Sequence, residues 1–268
     1  MHSISDSKTK RMIYKEQYLD RIGETKTNSY GSKMVIDEYN NSKDIWVRFV
    51  EYDYLVHTTY KNFSTGSIDC PYDKTVFGFG YLGNGIYKTK INGEQTLAYK
   101  TWKSMIERCH SKRYQQKCPT YIDCNIYEEW YNFQNFAKWF DKNYYEIEDE
   151  KMGLDKDILV KGNKTYSPET CIFVPTSINS LFTKTNSLRG NLPIGVHFFK
   201  QTNKYLANCR NGKGKKIGLG SFNTPDEAFR AYKEFKEKLI KQIAEDYKNK
   251  IPDKLYEAML RYEVEITD

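Results

Sequence analysis

The sequence predicts a mixed α+β protein of several small units: an N-terminal β barrel or sheet, a central α+β domain, and a C-terminal three-stranded sheet with a helix. Three observations carry this. A chain of 268 residues is long for one core. Its texture changes along its length, from short β-branched and aromatic runs, to apolar residues at helical spacing, to both in alternation. Its charge is uneven: the net +7 is matched by residues 185–250 alone, where 14 Lys and Arg face 6 Asp and Glu, leaving the remainder near neutral. A basic stretch of that kind is an electrostatic footprint for a polyanion.

Residues 1–24 read as a polar arm, with a short amphipathic helix over Tyr14–Ile22. From 25 to 72 the chain reads as the small β unit. Met34-Val35-Ile36, Ile45–Val50 and Tyr54–Tyr60 are strand runs, the first two separated by the turn cluster Tyr39–Asp44, and Asn62–Ile68 is a loop with a possible fourth strand. His57 in the third run is most simply a strand residue facing solvent. The Gly-rich run Gly78–Gly85 lacks the helix and βαβ context of a phosphate loop, because Tyr87–Glu94 reads as a hairpin.

Residues 73–184 form the central α+β unit. Leu97, Tyr99, Trp102, Met105, Ile106 and Cys109 make one apolar stripe over Thr96–His110. Trp130, Phe133, Phe136, Ala137, Trp139 and Phe140 make another over Glu128–Asn143, with a loop at Gln115–Thr120 between them. Leu154 and Ile158–Val160 then read as a strand, Lys161-Gly162-Asn163 as a turn and Cys171–Val174 as a second strand. Pro175 breaks it, and Thr176–Phe182 opens a short helix behind a Thr or Ser cap. Asp155, Asp157, Asn163 and Asn179 thus sit on a strand–loop–strand–helix frame. Acidic and amide groups so held suit a metal-dependent phosphodiesterase, and they equally suit a tight hairpin satisfying its own backbone.

Six cysteines and no N-terminal apolar signal segment predict a soluble, cytoplasmic protein with reduced thiols, and no stretch approaches the about eighteen apolar residues of a membrane helix. Cys109, Cys118, Cys124, Cys171 and His110 are numerous enough for a structural Zn²⁺. No CxxC pair is present, so buried free thiols are the simpler reading.

In 185–250, Gly195–Phe199, Tyr205–Arg210 and Lys216–Phe222 read as three strands. Thr224-Pro225-Asp226-Glu227 opens a helix to about Tyr247, with Ala228, Tyr232, Phe235, Leu239 and Ile243 on its packing face. This stretch resembles an AP2-type DNA-binding domain, through Gly195-Val196, Tyr205 with Ala207 and Arg210, Leu219–Phe222, and Thr224-Pro225 to Ala231-Tyr232. The resemblance implies a sheet in the major groove of double-stranded DNA, with His197, Lys200, Lys204, Tyr205, Arg210, Lys213, Lys215 and Lys216 facing it. Arg210 is the residue for a base edge, and the loop lysines are for phosphates. The bland alternative is a solvated basic face. Residues 251–268 add a helix behind Pro252 and a small strand at Val264–Ile266.

With that module behind it, 154–179 resembles the HNH (His-Me finger) nucleases of phages and mobile introns. The likeness rests on Leu154-Asp155, Gly162-Asn163-Lys164, Ser167-Pro168-Glu169, Phe173-Val174 and Ile178-Asn179. It implies a homing-endonuclease-like, DNA-binding protein of phage or mobile-element type, working in the cytoplasm of a bacterial host, with catalytic residues Asp155, Lys156, Asp157, Asn163 and Asn179. Lys156 stands where the family has its water-activating His, and Thr170 where it has Asn. Three readings follow: a frame that binds DNA without cutting it; Mg²⁺ held by Asp155 and Asp157 with Lys156 on the phosphorane; or a structural pair, Asp155 and Asp157 sharing one strand face and Lys156 the other. A weaker alternative is an inhibitor whose Tyr-rich N-terminal unit binds a host protein.

Overall fold

The computed structural model describes residues 21–183, 191–212, 214–266 and 268. The arm helix expected over Tyr14–Ile22 lies outside them but for its last two residues. The fold is mixed α+β with several small antiparallel sheets. It divides into two compact units: the described residues up to Pro119 with Glu128–Lys138, and Thr120–Tyr127 with Trp139–Asp268.

The first unit opens with β1 (Thr25–Thr27), β2 (Lys33–Asn41), β3 (Asp44–Phe49) and β4 (Tyr54–Thr58), an antiparallel meander. It is an open sheet, not a barrel, since β4 does not pair back onto β1. Met34, Ile36, Ile45, Val47 and Phe49 alternate onto one face and are fully buried there. On the other face Arg48 bridges Asp37 and Asp53, while His57 meets Asp44 at 2.8 Å beside the Trp46 ring. The end of the third expected run and the start of the Asn62–Ile68 stretch, expected as a loop with a possible fourth strand, instead make helix α1 (Tyr60–Thr65). The Thr59 hydroxyl accepts from the Asn62 amide, and Gly66 at φ 72° stops the helix, so cap chemistry outweighs the strand-like composition. Buried Asp73 ties the sheet to the following loop by accepting from Asn28 Nδ2 (2.7 Å) and the Ser32 hydroxyl.

β5 (Lys90–Ile91) and β6 (Glu94–Gln95) form the expected hairpin on Asn92-Gly93, both at positive φ. In the glycine-rich run, a Cβ on Gly80 would collide with Ile106 and Trp102, and one on Gly83 with Asn132. These glycines are there for close packing. α2 (Leu97–His110) matches the helix expected over Thr96–His110, with Thr96 as its cap, but α3 (Lys112–Lys117), capped by Ser111, occupies part of the expected loop. The helix predicted over 128–143 is interrupted: a 3-10 turn at Glu128–Tyr131 gives way to α4 (Phe133–Asn143). At the break, Phe133 N–H turns to the Tyr81 carbonyl, and the Asn132 side chain accepts from Gln134 N–H and restarts the helix. Trp102, Trp130, Phe133 and Phe136 are all buried, with the Trp102 indole donating to the Trp130 carbonyl at 2.7 Å.

In the second unit, β7 (Asn125–Ile126) runs parallel to β9 (Thr165–Tyr166), and β8 (Met152–Asp155) pairs antiparallel with β10 (Ile172–Pro175). α5 (Thr176–Phe182) follows directly. Pro175 is thus the last residue of the strand and also caps α5, with no side-chain cap; the Ser177 hydroxyl goes to Glu150 instead. β11 (Val196–Phe199), β12 (Lys204–Arg210) and β13 (Lys216–Phe222) form a three-stranded antiparallel sheet. α6 (Pro225–Tyr247) starts on a full capping box between Thr224 and Glu227, and α7 (Asp253–Arg261) closes the chain.

α6 is 23 residues, about 35 Å. Its first half backs the sheet: Ala228, Phe229 and Tyr232 pack with Val196, Ala207 and Cys209. Its second half carries Ile240 and Ala244 into a separate core with Ile172, Val174, Ile178 and Leu181, closed by Leu255 and Met259 of α7. The strand–loop–strand–helix region and the basic module therefore share one helix within one unit, across the boundary expected at 184/185. The strand expected at Val264–Ile266 does not form. Val264 is buried and its N–H goes to the Glu237 carboxylate at 2.8 Å, which takes the place of a strand partner.

Candidate functional site

The strand–loop–strand–helix unit places Asp155 as the last residue of β8, paired with Ile172. β8 does not continue to Val160 as expected. One Asp155 carboxylate oxygen accepts from both Asp157 N–H (2.9 Å) and Ile158 N–H (2.8 Å), and this turn ends the strand. The loop is closed by Asn163, whose amide donates to the Lys156 carbonyl (2.6 Å) and the Thr165 carbonyl (2.7 Å) and accepts from Thr165 N–H. Thr170 bonds Ser167 and the Thr165 carbonyl. Asn179 lies on α5 above Gly153, where a Cβ would stand 3.9 Å from its amide nitrogen.

Period-two alternation would have sent Lys156 away from the two aspartates. Because the strand has already ended, the side chain turns back: Lys156, only 7% exposed, brings its ammonium within 3.3 Å of Asp157 Oδ2. The Tyr121 and Tyr166 rings stand 5.9 and 5.8 Å from the ammonium. Burial works against the charge, but Asp157, Cys124 and Asp155 outweigh it and leave the lysine pKa above its usual value. Burial, and then the charge of Asp157, push the Asp155 carboxyl up to about 6 against the pull of its two backbone amides. A lysine held as ammonium cannot take a proton from water, so Lys156 as placed is not a general base.

The donor set does not fit a Mg²⁺ ion as arranged. One Asp155 oxygen holds the turn, Asp157 holds Lys156, Asn163 holds the loop, and the ammonium already supplies the positive charge beside the carboxylates. Among the described residues no three His, Cys, Asp or Glu side chains are grouped closely enough to hold a metal. His110, considered with the cysteines, stacks on Phe79 at 3.6 Å and meets the Tyr131 hydroxyl at 2.8 Å.

On the three-stranded sheet the register separates two faces. Val196, Tyr205, Ala207 and Cys209 face α6, whereas His197, Lys204, Leu206, Asn208 and Arg210 face away from it. Tyr205 therefore packs in the core against α6, with Phe198 5.1 Å away, and is not on the outer face as expected. Lys200 and Lys215 are exposed in the flanking turns, and Lys213 lies outside the described residues. Arg210 and Lys216 stand directly opposite each other across β12 and β13, both exposed and neither with a carboxylate partner among the described residues. The His197 Nδ1 accepts from the Asn208 amide at 3.0 Å, leaving its proton on Nε2; burial, then Lys216, lower its pKa and keep the ring neutral.

Residue periodicity missed Lys236. It lies on the buried stripe of α6, four residues from Tyr232 and from Ile240, and is 8% exposed. The signal was present: a lysine within an apolar helical stripe.

The geometry defines a mixed α+β protein that carries a strand–loop–strand–helix unit and a basic three-stranded sheet on one shared helix. No family model, curated protein or solved structure matches the chain. Among the described residues, no helix is long and apolar enough to cross a membrane.

Proposed function

We propose that this is a double-stranded-DNA-binding protein that uses the outer face of the β11–β13 sheet, and that its HNH-like unit is a structural frame without hydrolytic activity. The observation that carries the reading is the Arg210–Lys216 pair. Like charges directly opposed across a ladder repel, and with no carboxylate partner among the described residues they are best accommodated by a polyanion. Lys204 on the same face, and Lys200 and Lys215 at its rims, widen the positive surface, and neutral His197 adds a hydrogen-bonding ring beside them. α6 fixes the sheet from behind, so the face is presented without rearrangement. In the frame, Lys156 supplies a counter-charge instead of a base.

A second reading, metal-dependent cleavage, draws on the Asp155–Asp157 carboxylate pair at the end of β8 beside α5. It requires Lys156 to leave Asp157. Purified full-length protein titrated onto labelled duplex DNA at low salt should bind with an affinity that falls steeply as salt rises. Supercoiled plasmid incubated with the protein and Mg²⁺ or Mn²⁺ should stay intact. Absence of duplex binding overturns the first reading, and nicking abolished by chelator and by Asp155→Asn establishes the second.

A further inference from the structure

β11 begins at Val196, opposite Ala207, so Cys209 and Arg210 extend β12 beyond it with only β13 as a neighbour. Beside this edge is a cavity of about 390 Å³, which Lys236 lines together with His197, Arg210 and Lys216. A second cavity of about 470 Å³ shares Ser180, Thr183, Arg210 and Lys236 with it and extends to Gly212 and Gly214. Among the described residues, no aspartate or glutamate lines either one. Ser180 and Thr183 donate their hydroxyl protons to carbonyls of α5, so the charged side chains dominate.

Lys236 is the unusual member. It is more than nine-tenths buried, and no hydrogen bond or ion pair engages its ammonium among the described residues. Burial pulls its pKa down, opposed only by the neighbouring Cys209 thiol. The residue is largely buried but its ammonium is not sealed off and opens onto the cavity; a cation held there without a counter-ion is costly, and two more cations at the same cavity add repulsion. A dianion would relieve both. We propose that this cavity is a phosphate-binding site, with Lys236 at its floor and Arg210 and Lys216 at its mouth, and that it takes the phosphate group of a nucleotide or of a polynucleotide backbone. The arginine fork matches a phosphate's oxygens, and the cavity has room for more than the phosphate itself. The site does not depend on the sheet being a DNA face, since a free phosphate suffices to occupy it.

Thermal melting of the full chain in sodium phosphate, against sodium chloride at matched ionic strength, tests it. Phosphate at about a hundred times its Kd should raise the midpoint by several degrees. Lys236→Met should lose that increment yet melt above the parent in chloride, because the unpaired buried charge is gone; Lys236→Arg should retain part of the increment. By calorimetry, Arg210→Ala with Lys216→Ala, which leaves the helix interior untouched, should weaken phosphate binding at least about tenfold. A nucleoside monophosphate that binds more tightly than inorganic phosphate, with no competition from an unphosphorylated duplex, identifies a free nucleotide as the source; displacement of phosphate by the duplex identifies the DNA backbone. Equal midpoints in phosphate and chloride, or an undiminished increment in Lys236→Met, would overturn the proposal, and duplex binding surviving that result would leave the DNA reading standing on its own.

Discussion

Two lysines of the second unit are buried to nearly the same degree, Lys156 at 7% and Lys236 at 8% exposure, and their surroundings are opposite. Lys156 has Asp157 at 3.3 Å and two tyrosine rings about it, and its ammonium is stabilised. Lys236 has no acidic partner among the described residues, and its ammonium is destabilised by burial. The difference teaches which region is complete in itself. The turn after β8 has neutralised its own charges and closed its loop with Asn163, so it has no need of a partner. The sheet edge holds Lys236, Arg210 and Lys216 without a counter-ion among the described residues, and that unbalanced charge is what the proposed anion site rests on.

Four perturbations bear on this contrast. The largest effect should follow from Arg210→Ala with Lys216→Ala, which should weaken duplex binding by about two orders of magnitude, read by fluorescence anisotropy, with the fold unchanged by circular dichroism. Next, Lys156→Met leaves the Asp155 and Asp157 carboxylates uncompensated and should cost about 2 kcal/mol in urea unfolding; half-exposed Asp157 limits the loss. A loss below about 0.5 kcal/mol would mean that Lys156 is not the counter-charge.

Asp155 adds a pH signature. Its folded pKa, near 6, lies above its unfolded value, so the folded state binds the proton more tightly. Its contribution is therefore most favourable below about pH 4 and is lost as pH rises to about 6, by on the order of 2 kcal/mol. Asp155→Asn keeps an acceptor for the two backbone amides and should flatten stability over that window. A slope unchanged in the variant would assign the pH dependence to another group. The smallest effect is that of Lys236→Met, a gain of about 1 kcal/mol in chloride, opposite in sign to Lys156→Met.

The same two regions show what was legible in the sequence. Local signals with a fixed geometry could be read directly: Thr224-Pro225 with Glu227 as a capping box, Asn92-Gly93 as a hairpin turn, and the paired strands around Leu154 and Phe173. Misreadings arose where a side chain captured backbone groups and overrode periodicity. Asp155 took the amides of Asp157 and Ile158 and ended a strand that was expected to run on to Val160. Asn132 and Thr59 likewise restarted and opened helices within stretches that read as one helix and as a strand. At the basic edge, the face assignment of Tyr205 depended on which side of the sheet α6 covers, a long-range fact that composition does not contain. Lys236 was visible as a charge within an apolar stripe: the expected Phe235, Leu239 and Ile243 do pack against the cores, half-buried, while the fully buried line beside them is Lys236, Ile240 and Ala244.

The central claim, that the sheet edge is the anion-binding surface, is tested most directly by the salt dependence of duplex binding in the parent and in the Arg210→Ala, Lys216→Ala chain. If both cations meet phosphates, the slope of log affinity against log salt should become shallower by about 2 in the variant. An unchanged slope with unchanged affinity would contradict the account and move the binding surface elsewhere on the protein.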